Sequence, residues 1–107
     1  MQSLTNQEFD TKVLHAASPV VVMFYADWCA KCAMMKPIIG ELSQRESPHI
    51  YFYTVNVDHE PSLSARFAYD VVPFFVFFLD GQLLASFSGI VDEEVFEKRL
   101  YKIFRNC

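Results

Sequence analysis

The strongest constraint on the fold comes from residues 20–25, Val-Val-Val-Met-Phe-Tyr, an apolar run without a single polar position. β-Branched and aromatic residues favour strands, and the missing alternation is typical of a strand covered on both faces. Such a strand lies in a parallel or mixed sheet with helices on each side. Residues 50–57 and 74–79 are also rich in β-branched and aromatic residues. The sequence therefore predicts an α/β protein.

Helix signals separate these strands. Thr5 and Glu8 form a capping-box pattern, in which each side chain accepts a hydrogen bond from an otherwise unpaired backbone N–H. Pro37 falls inside the second helix, where we expect a kink because proline removes an N–H and crowds the preceding turn. The predicted helices cover residues 6–16, about 29–45, 62–67 and a final segment capped by Asp92.

The order of elements alternates strands and helices and then closes with a hairpin. Asp80-Gly81 is a hairpin signal that joins residues 74–79 to a returning strand at 83–88, and residues 2–4 are a candidate edge strand. We therefore expect a central mixed sheet of four to five strands, flanked by helices on both faces. The 107 residues fit one domain, residues 1–107.

Composition excludes several classes of function. The net charge is −4 and no basic run is present, which disfavours nucleic-acid binding. No apolar run approaches the ~20 residues that span a bilayer, so no membrane association is expected. The first residues lack the basic start and apolar stretch of a secretory signal. We expect a soluble, cytoplasmic monomer.

Two of the three cysteines, Cys29 and Cys32, form a Cys-x-x-Cys motif at the junction of a buried strand and a helix. The unpaired N–H groups and positive end of that helix favour the thiolate at Cys29, the species that attacks a disulfide. The spacing allows the pair to form a reversible disulfide. Lys31 and Asp27 are candidates for tuning the acidity of the pair, against the alternative that both are simply solvated.

Other interpretations of the cysteines are open. A zinc site needs four ligands, and the sequence offers neither a second Cys-x-x-Cys nor a paired-histidine motif, so we expect no metal. An inert pair of core cysteines is a further alternative. Cys107 is expected to be an unpaired thiol at the end of the chain, with intermolecular disulfide formation as the alternative.

The motif and its surroundings resemble the thioredoxin family over nearly the whole chain. Residues 24–32 read Phe-Tyr-Ala-Asp-Trp-Cys-Ala-Lys-Cys, and Pro37, Asn56-Val57-Asp58, Val72-Pro73, Asp80-Gly81 and Gly89 follow in thioredoxin order and spacing. The resemblance implies the thioredoxin fold and thiol–disulfide oxidoreductase activity on protein disulfides. It also implies a thioredoxin reductase as electron donor and no bound cofactor.

The resemblance assigns a role to each matching residue. Cys29 becomes the attacking cysteine and Cys32 the resolving one. Pro73 is expected to be cis and to lie beside the cysteines, the backbone of Val72 to pair with the client chain, and Trp28 to flank the site. We further expect Trp28, Tyr69 and Phe74 to form an apolar collar for an extended client segment.

The sequence departs from the family pattern at the site. Ala30-Lys31 replaces the usual Gly-Pro pair, which predicts a less reducing potential. Met23 occupies the position of a buried Asp that helps to move the proton of the resolving cysteine, and Thr54 stands where a Lys partner is common. We therefore expect slower resolution by Cys32. The alternative function is a redox-inactive or weakly active protein-binding module on the same fold.

Overall fold

The computed structural model describes residues 1–67 and 71–105. Within these ranges five strands and four α-helices alternate along the chain. They are β1 (Gln2–Ser3), α1 (Asn6–Phe9), β2 (Val20–Tyr25), α2 (Ala30–Glu46), β3 (Tyr51–Asn56), α3 (Pro61–Ala65), β4 (Phe74–Leu79), β5 (Gln82–Ser88) and α4 (Glu93–Ile103).

The described strands form one mixed sheet in the order β1-β3-β2-β4-β5. β1, β3 and β2 are parallel, whereas β4 is antiparallel to both β2 and β5. β2 is therefore central, which explains why residues 20–25 contain no polar position. The prediction of a mixed sheet with four to five strands is confirmed.

Successive residues of β2 contribute to two separate cores on opposite faces of the sheet. Val21 and Met23 belong to the core under α2 and α4, while Val20, Val22 and Phe24 belong to the core under α1 and α3. On the first face the helices supply Met35, Ile39, Leu42, Phe96 and Leu100; on the second they supply Phe9 and Leu63. Helices on both faces were predicted, and the burial of β2 on both faces confirms this.

The first helix differs from its prediction. Its capping box is present, since Thr5 Oγ1 accepts from the Glu8 amide and the Glu8 carboxylate accepts from the Thr5 amide. After α1, however, the chain continues as a π-helical segment at Asp10–Leu14 instead of a regular helix to residue 16. Phe9 and Val13 are buried here, and a spacing of four residues also suits one face of a regular α-helix. The spacing of apolar residues over so short a segment therefore does not distinguish a π-helix from an α-helix.

The remaining boundaries lie within one or two residues of their predictions, and β2 and β4 have the predicted bounds. The Asp80-Gly81 hairpin is present, with positive φ angles of 51° and 75°. The Val72–Pro73 peptide bond is cis, as expected, and Ser47–Pro48 is also cis. Among the described helices, none combines the length and apolar character that a membrane span requires.

Candidate active site

The two cysteines lie where β2 ends and α2 begins. Cys29 is the N-cap of α2: its backbone is extended, with φ −92° and ψ 109°, and its Sγ accepts a hydrogen bond of 3.1 Å from the Cys32 amide. A sulfur thus fills the position that a Ser or Asp oxygen usually holds at a helix start. The Cys29 sulfur thus lies at the helix end where unpaired backbone amides are directed.

The start of β4, preceded by the cis Val72–Pro73 peptide bond, lies against Cys29. Cys29 Sγ donates to the Val72 carbonyl across 3.6 Å, and Pro73 is buried. The Cys29 sulfur is therefore adjacent to a backbone carbonyl that belongs to a short irregular segment before a strand.

An open groove of about 610 Å³ runs past the cysteines. Trp28, Ala30 and Lys31 line it on the side of α2, and Val57, Val71 and Val72 line it on the other. The groove is mostly apolar, and Trp28 and Val71 in its lining are 72% and 54% exposed. Sequence reasoning identified Trp28 and Val72 as site residues. It assigned no role to Val57, although that residue lies inside the Asn56-Val57-Asp58 motif, or to Val71, which directly precedes Val72.

Hydrogen bonds fix the residues around the groove. Trp28 Nε1 donates to Asp58 Oδ2 at 2.9 Å, which holds the exposed indole in one orientation. The buried Asn56 accepts the amides of Asp58 and His59 on its Oδ1, and its Nδ2 donates to Asp27 Oδ2 at 3.4 Å. Asp27 is thus linked to Asn56 at the end of β3, and its carboxylate is exposed. A role for Asp27 in tuning the cysteines stays a prediction, as does that of Lys31.

The apolar collar is composed differently from the prediction. Phe74 is half-buried and packs against Phe24 at 6.0 Å between ring centres, on the sheet face opposite the cysteines. Alternate residues of a strand point to opposite faces, and Phe75 is the one that joins the core beside Cys29 and Cys32. Tyr69 and Cys107 lie outside the described residues.

The two thiols differ in their surroundings. Cys29 is 8% exposed and borders the groove, whereas Cys32 is 1% exposed and lies in the core with Met23 and Phe75. Burial, followed by the hydrogen bond with Cys29, raises the pKa of the Cys32 thiol from its ordinary 9.0 to about 12. The backbone of Ala26 and the charge of Lys36 act in the opposite direction. Cys32 is therefore held as a neutral thiol, which must lose its proton before its sulfur can act as a nucleophile.

Metal binding has no support in the described ranges 1–67 and 71–105, where no group of three or more His, Cys, Asp or Glu side chains converges. Cys29 and Cys32 are both free thiols. The chemistry that this pair can perform without any further group is dithiol–disulfide exchange.

Comparison with known proteins agrees with this geometry. The thioredoxin family model matches residues 1–102. The chain is 35% identical over 98 residues to thioredoxin M4, chloroplastic, of Arabidopsis thaliana, covering 92% of this chain and 51% of that protein. It is 31% identical over 100 residues to thioredoxin 1 of Synechococcus elongatus, covering 94% of each. The chain thus spans about half of the first relative and nearly all of the second.

A mixed sheet of this topology, with two cysteines at the start of α2 and the Val72–Pro73 segment beside Cys29, defines a protein of the thioredoxin fold with a dithiol site. The chain belongs to the thioredoxin family.

Proposed function

We propose that the chain reduces disulfides in client proteins, with Cys29 as the attacking and Cys32 as the resolving cysteine. The Cys29 thiolate attacks a client disulfide, forming a Cys29–client bond and releasing one client sulfur as a thiolate. Cys32 loses its proton and attacks Cys29 Sγ. The Cys29–Cys32 disulfide forms, the second client sulfur leaves, and both client thiolates take up protons. The protein is oxidised by two electrons and the client is reduced by two.

One observation carries the assignment of roles: the Cys29 sulfur borders the groove and accepts a helix amide, while the Cys32 sulfur is buried behind it. A client disulfide in the groove reaches Cys29 first. Cys32 attacks only after the mixed disulfide between Cys29 and the client has formed. The groove supplies apolar contact for residues that flank the client cysteine.

A trapping experiment tests these roles. The Cys32→Ser variant is expected to accumulate a mixed disulfide with a reducible substrate such as insulin, while Cys29→Ser accumulates none. The wild-type chain is expected to reduce insulin with dithiothreitol as electron source. If neither variant forms an adduct and the wild type is inactive, the chain is the protein-binding module that we consider as the alternative.

The electron donor of this chain in the cell is a further part of the proposal. Thioredoxins receive electrons from a thioredoxin reductase or a ferredoxin–thioredoxin reductase, and we propose the former as donor here. Relatives include chloroplast proteins, such as that of Arabidopsis thaliana, and a cyanobacterial one. Coupled assays with each reductase distinguish the donors.

We further propose that the protein is a cytoplasmic monomer. Size-exclusion chromatography tests the oligomeric state, and fractionation of the source cells tests the location.

The residues between the cysteines are proposed to set a less reducing potential than that of a Gly-Pro thioredoxin. Ala30 and Lys31 are both exposed in the first turn of α2, where substitution does not disturb the core. Changing the pair to Gly-Pro is expected to lower the potential by about 30 mV, which corresponds to ~1.4 kcal/mol for two electrons. Equilibration with glutathione at known ratios measures it, and equal potentials would remove this part of the proposal.

A further inference from the structure

Among the described residues, no buried carboxylate, histidine or lysine lies near Cys32 to accept its proton. Cys32 shares its core with Met23, Ala26, Met35 and Phe75, none of which carries a charge. Met23 and Thr54 face each other across β2 and β3, and the Thr54 hydroxyl is paired with the Ser3 hydroxyl at 2.8 Å. The thiolate that Cys32 must form during resolution is therefore poorly stabilised by the sheet side of the site.

Lys36 places a positive charge on the face of α2 that carries Cys32. Lys36 follows Cys32 by four residues on α2, the spacing that places two side chains on one helix face. Its Nζ lies 3.7 Å from the centre of the Tyr25 ring, at the end of β2 and next to Ala26, whose backbone interacts with the Cys32 thiol. The ring face attracts the ammonium and holds it near this end of the strand.

We propose that Lys36 is a positioning residue for the resolving step, where its ammonium, held on the ring of Tyr25, stabilises the developing thiolate of Cys32. This inference rests on the proposed function. Among the described residues, the titratable groups that act on Cys32 are Cys29 and Lys36, and they act in opposite directions on its pKa. The Cys32 proton passes to solvent or to the departing thiolate.

The expected effect is modest because Lys36 is exposed and water screens its charge. An interaction of the size measured for exposed charges changes a rate by about twofold to fivefold. Lys31 is one turn nearer the helix start but lines the groove, so it faces the client instead of the buried thiol.

Reaction of the reduced protein with the neutral reagent 2,2′-dithiodipyridine separates the two steps. Every protein in this test carries Cys107→Ser, because the third cysteine would otherwise release a thiopyridone of its own, and the Cys107→Ser protein serves as the wild type. Attack by Cys29 releases one coloured thiopyridone and leaves Cys29 bonded to the other half. Attack by Cys32 on Cys29 Sγ then forms the intramolecular disulfide and releases the second thiopyridone. Stopped-flow absorbance records both phases. Lys36→Met is expected to slow the second phase by about twofold to fivefold near neutral pH and to leave the first unchanged.

Three comparisons make the result specific. Lys36→Arg keeps the charge and is expected to restore the second phase, and rising salt is expected to slow that phase in the wild type but not in Lys36→Met. Lys98→Met removes a distant exposed lysine of α4 and is expected to match the wild type. The pH profile of the second phase is expected to move to higher pH in Lys36→Met alone.

The inference is overturned if Lys36→Met matches the wild type in the second phase at every pH. It is also overturned if Lys36→Arg is as slow as Lys36→Met, because the loss is then one of packing and not of charge. Failure of the proposed function looks different. In that case the wild type itself releases a single equivalent of thiopyridone, as Cys32→Ser is expected to do.

Discussion

Met23 on β2 is paired in register with Thr54 on β3, and both side chains are buried. Met23 also belongs to the same core as Cys29 and Cys32. In thioredoxins that this chain resembles, an Asp and often a Lys occupy these two positions. Replacing both by uncharged residues leaves neither charge buried alone, which is consistent with a stable core and an inefficient proton path for Cys32.

Restoring the carboxylate at position 23 is predicted to lower the free energy of unfolding and to speed the attack by Cys32 on Cys29. Met23→Asp places a carboxyl group in a fully buried position beside the cysteine core and removes methionine packing. We expect the free energy of unfolding to fall by about 3 kcal/mol, from lost packing and the burial of a polar group. The second thiopyridone phase is expected to become faster. Urea unfolding and stopped-flow absorbance measure the two effects.

The pH dependence of that variant has a definite sign. Burial raises the pKa of the introduced Asp above its unfolded value of ~3.9, so its protonated form is favoured in the folded state. The stability lost relative to wild type should therefore be larger near pH 7 than near pH 4. Met23→Leu is the matched control, with a loss below about 1.5 kcal/mol at both pH values and no change in rate. A Met23→Asp loss that does not depend on pH contradicts the prediction.

The raised pKa of Cys32 predicts that the reduced protein loses stability in alkaline solution. The unfolded thiol ionises near its ordinary 9.0, whereas the folded one stays protonated to about 12. Between these values the folded state binds more protons than the unfolded state, so stability falls as pH rises. The slope contributed by Cys32 approaches about 1 kcal/mol per pH unit. Urea unfolding under reducing conditions at about pH 8 and about pH 10 measures this slope.

Cys32→Ser is the control because serine does not ionise in this range. Its stability is expected to fall less steeply over the same interval, while tyrosines with raised pKa, such as Tyr101, contribute equally to both proteins. Parallel curves for the two proteins contradict the prediction.

Much of this fold was predictable because a central strand has to be apolar along its whole length. β2 and β4 have their predicted bounds, since a proline directly precedes each run, at positions 19 and 73, and an aspartate stands within two residues of its end, at positions 27 and 80. The caps at Thr5 and Asp92 were predicted because each uses a local side-chain-to-backbone hydrogen bond. Interactions confined to a few neighbouring residues leave a direct signal in the sequence.

The features that the sequence did not reveal depend on contacts between distant segments. Lys36 resembles any solvated helix lysine until the sheet places Tyr25 beneath it. Phe74 was assigned to the collar, but the register of β4 turns it to the opposite face. The cis bond at Ser47–Pro48 has no local signature either, because most X-Pro bonds are trans.

The hydrogen bond between Trp28 and Asp58 is predicted to support client binding. Asp58→Ala removes the acceptor, so the exposed indole loses its fixed orientation and must be ordered when a client binds. We expect the KM for a protein disulfide to rise by about twofold to fivefold, with little change in kcat. Asp58→Asn keeps an oxygen acceptor and is expected to stay near wild type. An insulin-reduction assay at varied substrate concentration measures both; an unchanged KM in Asp58→Ala shows that the orientation of Trp28 does not matter.

The hairpin glycine is predicted to be essential for stability, while a glycine of α2 is not. A Cβ on Gly81 would lie 2.3 Å from the Leu14 carbonyl oxygen, and the residue has a φ of 75° that disfavours L-residues by about 1–2 kcal/mol. Gly81→Ala is therefore expected to cost about 2 kcal/mol or more. Gly40 has no atom within 4 Å of such a Cβ, so Gly40→Ala should stabilise the helix by about 0.5–1 kcal/mol. Thermal or urea unfolding of both variants checks the opposite signs, and a loss of equal size in the two would contradict this account of the hairpin.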